Sequence, residues 1–92
     1  MEFEVMDYWV EKDIETIDRL RGRSEGEKII AGAFKFKNKK GMFKAKLFWD
    51  MDGTSGKEII IAPTVGDDFS DGEYDEIEEL IEEWLEEGDI NA

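Results

Sequence analysis

The stretch from Asp67 to Ala92 carries thirteen Asp or Glu and no Lys or Arg. Tyr74, Ile77, Leu80, Ile81, Trp84 and Leu85 recur there at i, i+3, i+6, i+7, i+10 and i+11. That is the stripe of a helix with one buried face. Asp75, Glu76, Glu78, Glu79, Glu82, Glu83, Glu86 and Glu87 occupy the other positions. At 1.5 Å rise per residue these eight carboxylates span about 20 Å of axis. The density is roughly one charge per 2.4 Å, against about one per 1.7 Å along duplex DNA. Whatever the rest of the chain does, it must cover the apolar stripe, and the charge then sits on a rigid surface.

Such a helix opposes itself. Its acids have no Lys four residues on, so like-charge repulsion is uncompensated. Glu78, Glu82 and Glu86 make one row, and Glu79, Glu83 and Glu87 a parallel one. Steps of four residues are about 6 Å apart along the axis, like phosphates along a strand. Glu86, Glu87 and Asp89 load the negative end of the helix dipole, against the usual preference. A surface that costs stability at several positions points to display of the charge itself.

The 92 residues suffice for one small domain, expected to span 1–92. The formal net charge of −13 disfavours nucleic acid and anionic membrane as partners and favours a basic partner or a cation. Charge is segregated: residues 1–18 carry −6, 19–49 carry +8, 50–66 carry −2 and 67–92 carry −13. With no Cys and no His, there is no thiolate nucleophile, no thiolate zinc site and no imidazole base. No catalytic residue, metal or cofactor is expected. Nor is there a secretory apolar region or a long apolar run, so a cytoplasmic protein is expected.

Met1–Met6 alternates and hints at a short strand. Residues 7–21 then have helical spacing, with Val10, Ile14, Ile17 and Leu20 or Arg21 on one face, Asp7 as N-cap and Gly22 as stop. Three strands follow: Lys28–Lys37, Met42–Trp49 and Lys57–Ala62. Asn38–Gly41 and Asp52–Gly56 are expected as their turns, and Pro63 as the stop. In the middle strand Phe43, Ala45, Leu47 and Trp49 point inward, Lys44 and Lys46 outward. Ser70-Asp71-Gly72-Glu73 has capping-box spacing for the last helix, and Gly88 its end. The fold expected is α+β: a three-stranded antiparallel meander packed against two helices, in the order α-β-β-β-α.

Leu47 to Thr54 resembles the first motif of haloacid-dehalogenase phosphatases, an apolar strand leading into D-x-D-G-T. The resemblance implies Asp50 as nucleophile, Asp52 as acid/base and Mg²⁺ as cofactor. That family needs a parallel, doubly wound sheet and later motifs that the remaining residues cannot supply, so an Asp-Gly turn is expected. As a calcium loop the stretch has Ser55 where Gly is needed and Ile61 where Glu is needed. Lys35, Lys37, Lys39, Lys40, Lys44 and Lys46 lie among phenylalanines, as in RNA-binding sheets, but Phe34, Phe36 and Phe43 alternate to the opposite face.

In its size, its charge and its two carboxylate rows, the chain resembles the DNA-mimic, anti-restriction proteins of phages and mobile elements. Asp7, Glu11, Asp13, Glu15 and Asp18 of the expected first helix add to the likeness. The resemblance implies a non-enzymatic inhibitor, dimeric or elongated, occupying the DNA-binding cleft of a basic protein such as a restriction endonuclease. It also implies that these five acids and the eight of the last helix contact the partner. The alternative is an adaptor or immunity-type protein for one basic partner, anchored by an apolar patch at Tyr8 and Trp9 as well as by charge.

Overall fold

The computed structural model describes residues 2–64 and 66–87. Four strands, β1 (Phe3–Asp18), β2 (Arg23–Phe36), β3 (Lys39–Trp49) and β4 (Ser55–Pro63), precede one helix, α1 (Asp71–Glu87). The strands form a single antiparallel sheet in the order β1-β2-β3-β4, each paired with the next in sequence. The first helix expected from the sequence is therefore replaced by a strand, and the α-β-β-β-α order by β-β-β-β-α.

The ladder with β2 divides the expected stripe: opposite Ile30, Glu27 and Ser24, Val10 and Ile17 lie on one face and Ile14 on the other. The register shifts between Val5 and Asp7 and again between Val10 and Lys12, and each bulge inserts one residue into β1. The three- and four-residue steps therefore do not mark a buried face of β1. Its β-branched and aromatic content (Phe3, Val5, Tyr8, Trp9, Val10, Ile14, Thr16, Ile17) suits a pleated surface better than a helix.

The other three strands lie where the sequence places them, with longer ends. The turn after β2 is Lys37–Asn38, two residues with φ of 48° and 70°, so Lys39, Lys40 and Gly41 belong to β3 rather than to the turn. Consecutive positive φ values are those of a tight hairpin loop that follows the sheet twist. Asp50 organises the next turn: its Oδ1 accepts the Asp52 and Thr54 amides at 3.0 and 2.9 Å. The proposed phosphatase nucleophile is thus a turn-former at the end of an antiparallel strand, the environment expected of an Asp-Gly turn.

One face of the sheet meets α1. Ile30, Phe34, Phe36, Phe43 and Ala45 are buried there against Phe69, Ile77, Ile81 and Leu85. Tyr74, Leu80, Trp84, Phe3, Val5, Ile59 and Ile61 close the core's margin. All six apolar residues of the expected stripe thus pack inward. The ring of Trp84 meets Tyr8 and Phe43 edge-on, with centroids 5.0 and 5.7 Å apart. Register places Gly32 opposite Phe43 and Gly41 opposite Phe34. A Cβ on Gly32 would sit 2.7 Å from the Phe43 ring, so the rings lie across bare backbone.

Helix α1 begins with the expected capping box. Ser70 Oγ accepts the Glu73 amide at 3.3 Å and Glu73 Oε1 accepts the Ser70 amide at 3.0 Å. Gly88, the expected stop, lies outside the described residues. Because β1 and β2 outrun β3, which ends where Trp49 pairs Gly26, they continue as a two-stranded ribbon to a turn at 19–22. The molecule is 51 Å long and about 23 Å across.

Candidate functional site

The helix surface divides into three strips. Ile77, Ile81 and Leu85 are buried on the sheet. On the solvent side Asp75, Glu78, Glu79 and Glu82 surround a shallow hollow of about 400 Å³. Toward β1, an edge strand, Leu80 and Trp84 form with Phe3 and Val5 the floor of a cleft of about 270 Å³, rimmed by Glu4, Glu83 and Glu87. Past Leu80 a second hollow holds Phe3 and Phe36 between Glu2 and Glu76. Of the eight carboxylates expected to act together, seven are exposed and Glu82 is half-buried. Among the described residues, lysines reach only two acids of the helix: Lys39 pairs with Glu73 at 3.2 Å and Lys57 with Glu86 at 3.8 Å.

The five N-terminal acids do not extend this surface as a second helix. Asp7 Oδ1 accepts the Tyr8 amide at 2.9 Å. Glu11 pairs with Lys44 at 2.9 Å. Asp18 Oδ1 accepts the amides of Leu20 and Arg21 in the turn, and its other oxygen lies 3.7 Å from Arg21. Asp13 and Glu15 sit on β1 opposite Lys28 and Gly26. Three of the five are therefore tied to local structure, and all are carried by a strand.

On the lysine-bearing sheet face opposite α1, two carboxylates serve three lysines. Glu27 reaches Lys12 at 3.4 Å and Lys46 at 3.9 Å, and Glu11 takes Lys44. Between these pairs Trp9, Met42 and Ile60 surround Ala31 and Ala62. Trp9 lies on this face while Tyr8 packs on Trp84 at the other, so the two cannot make one anchor patch.

Two carboxylates titrate abnormally. The Lys44 ammonium, hydrogen-bonded to Glu11, holds that carboxyl below its ordinary value, with a smaller contribution from the Trp9 indole N–H. Glu73 is held down first by the Ser70 amide and then by Lys39. Neither lies in a cavity with a nucleophile, and both shifts are those of structural ion pairs. Among the described residues no three acidic side chains converge as metal ligands. No described helix is long and apolar enough to cross a membrane.

The sequence alone does not place the cleft beside α1. Its floor needs Phe3 and Val5 on an edge strand alongside Leu80 and Trp84. The alternation Phe3-Glu4-Val5 was the available signal. Comparisons with family models, curated proteins and solved structures find no match to this chain.

Proposed function

We propose that this protein is a non-enzymatic, acidic binding module that occupies the nucleic-acid cleft of a basic protein, in the manner of a DNA mimic. The observation that supports it most is the separation of charge. Asp75, Glu76, Glu78, Glu79, Glu82, Glu83 and Glu87 have no lysine or arginine partner among the described residues, while the back-face lysines Lys12, Lys44 and Lys46 are paired with Glu11 and Glu27. The helix backbone fixes the spacing of the carboxylate-bearing residues, and docking has only their side-chain rotamers left to order. Phosphate neutralisation supplies much of a DNA-binding protein's affinity, and a carboxylate row can compete for it without offering base edges. A restriction endonuclease is one target of suitable chemistry.

The test is competitive elution. Proteins captured from nuclease-treated bacterial lysate on the immobilised chain are eluted with duplex DNA or with polyglutamate at equal charge concentration. Mimicry requires release by duplex DNA at concentrations where polyglutamate releases little. It also requires loss of capture by the Glu79→Lys/Glu83→Lys variant, whose fold is checked by circular dichroism. Equal release by the two polyanions means that the charge is recognised without its geometry. Capture that withstands duplex DNA favours the adaptor reading, which the apolar floor of the α1–β1 cleft supports.

A further inference from the structure

The α1–β1 cleft and the tip of the β1–β2 hairpin are chemical complements. The cleft offers an apolar floor, Phe3, Val5, Leu80 and Trp84, under the carboxylates of Glu4, Glu83 and Glu87. Its natural ligand is an apolar side chain flanked by cations. The hairpin turn presents Arg19-Leu20-Arg21, with Leu20 fully exposed and Arg23 following at the start of β2. Asp18 holds the turn by accepting the Leu20 and Arg21 amides. Tip and cleft cannot meet within one chain. Phe3 and Asp18 are the two ends of one continuous strand. At about 3.3 Å per residue it is about 50 Å long, which matches the 51 Å long axis.

We infer that two copies of this chain form an antiparallel, two-fold dimer in which Arg19-Leu20-Arg21 of each copy enters the α1–β1 cleft of the other. Tip and cleft lie at opposite ends of the long axis, so a two-fold axis perpendicular to it makes both contacts at once and closes the assembly. β1 is an edge strand, so no further strand stands between the copies. Once one contact forms, the second is intramolecular and gains from the high effective concentration. The net charge of −13 on each copy opposes association. At an ionic strength of about 0.15 M, charges more than about 8 Å apart are largely screened, so the opposition comes from acids of the two β1 edges such as Asp13 and Glu15, which the attraction of tip for rim must exceed. The dimer needs no other protein: it engages Glu83 and Glu87 and leaves Asp75, Glu76, Glu78, Glu79, Glu82 and Glu86 to the proposed partner.

Sedimentation equilibrium of the full chain over a range of concentrations tests this. In about 0.15 M salt the mass should rise to twice 10.7 kDa and stop there. In about 1 M salt it should remain that of one copy. Arg19→Glu/Arg21→Glu and Glu83→Lys/Glu87→Lys, each shown to be folded by circular dichroism, should separately weaken association by about tenfold or more. An equimolar mixture of the two variants should restore much of it, because in the mixed dimer positions 19 and 21 again face positions 83 and 87 of opposite charge. A wild-type chain that stays single at all concentrations overturns the proposal. So do growth beyond two copies, variants that associate like wild type, and a mixture no better than its components.

Discussion

β1 and α1 are written in nearly the same alphabet. Both alternate clusters of acids with Ile, Val, Leu, Trp or Tyr at three- and four-residue steps, and both match a helical stripe. One is an edge strand with two bulges and the other a helix of 17 residues. Spacing alone therefore does not separate a bulged strand from an amphipathic helix. Two further signals do. α1 has a capping box at its start, and its interior has Leu, Ile, Glu and Trp but no Val or Thr. β1 is rich in β-branched residues and has only Asp7 as a candidate cap, whose carboxylate accepts the neighbouring Tyr8 amide rather than one two or three residues on.

The two elements also differ in what holds them. α1 is anchored by a dry core, whereas the last residues of β1 run in a two-stranded ribbon whose Ile17 remains more than half exposed. Ile77→Ala should cost about 2–5 kcal/mol, enough to threaten a domain of this size. Ile17→Ala should change stability by no more than about 0.5 kcal/mol. Chemical denaturation of the two variants checks both. Equal losses would mean that the ribbon is covered in solution, and a loss at Ile17 confined to high protein concentration would point to the dimer.

Gly32→Ala is expected to come next in size. The new methyl would lie 2.5 Å from the Asp7 carbonyl and 2.7 Å from the Phe43 ring, at the first bulge of β1. Overpacking of this kind costs about 1–3 kcal/mol. A smaller effect would show that the bulge yields, and hydrogen exchange along β1 would locate the movement.

Removing the cap sharpens the contrast from the helix side. Ser70→Ala should cost about 1 kcal/mol through the lost Glu73 amide acceptor. Its partner links stability to pH. Glu73 is held below its ordinary 4.5 in the folded protein, so its contribution is fully present above about pH 4.5. It is lost as the pH falls through the lower folded-state value. Glu73→Gln should therefore flatten the acid limb of the stability profile below about pH 4.5 and leave its shape near neutrality unchanged. Glu11, held down by Lys44, should add a limb of the same sign, removed by Lys44→Met. Thermal melts at successive pH values would resolve the two.

Much of the molecule is legible in the chain. The cap at Ser70, the inward stripe from Tyr74 to Leu85, the alternation of Phe43, Ala45, Lys44 and Lys46, and the turn at Asp50 all follow from local chemistry. Each depends on residues a few positions apart, so a pattern of two, three or four residues encodes it. The exposed carboxylate rows of α1 follow as well, because an apolar stripe leaves only the other positions for solvent.

The rest depended on partners distant in sequence. β1 is a strand because β2 offers it a 14-residue ladder, and its two bulges have meaning only against that ladder. Glu11 was legible as an acid but not as the counter-ion of Lys44, 33 positions away. Phe3 and Val5 became the floor of a cleft only when the sheet laid β1 beside Leu80 and Trp84. Local pattern reports which face of an element is apolar. Which element it is, when the period is ambiguous, is settled by whichever distant segment satisfies its backbone hydrogen bonds and buries that face.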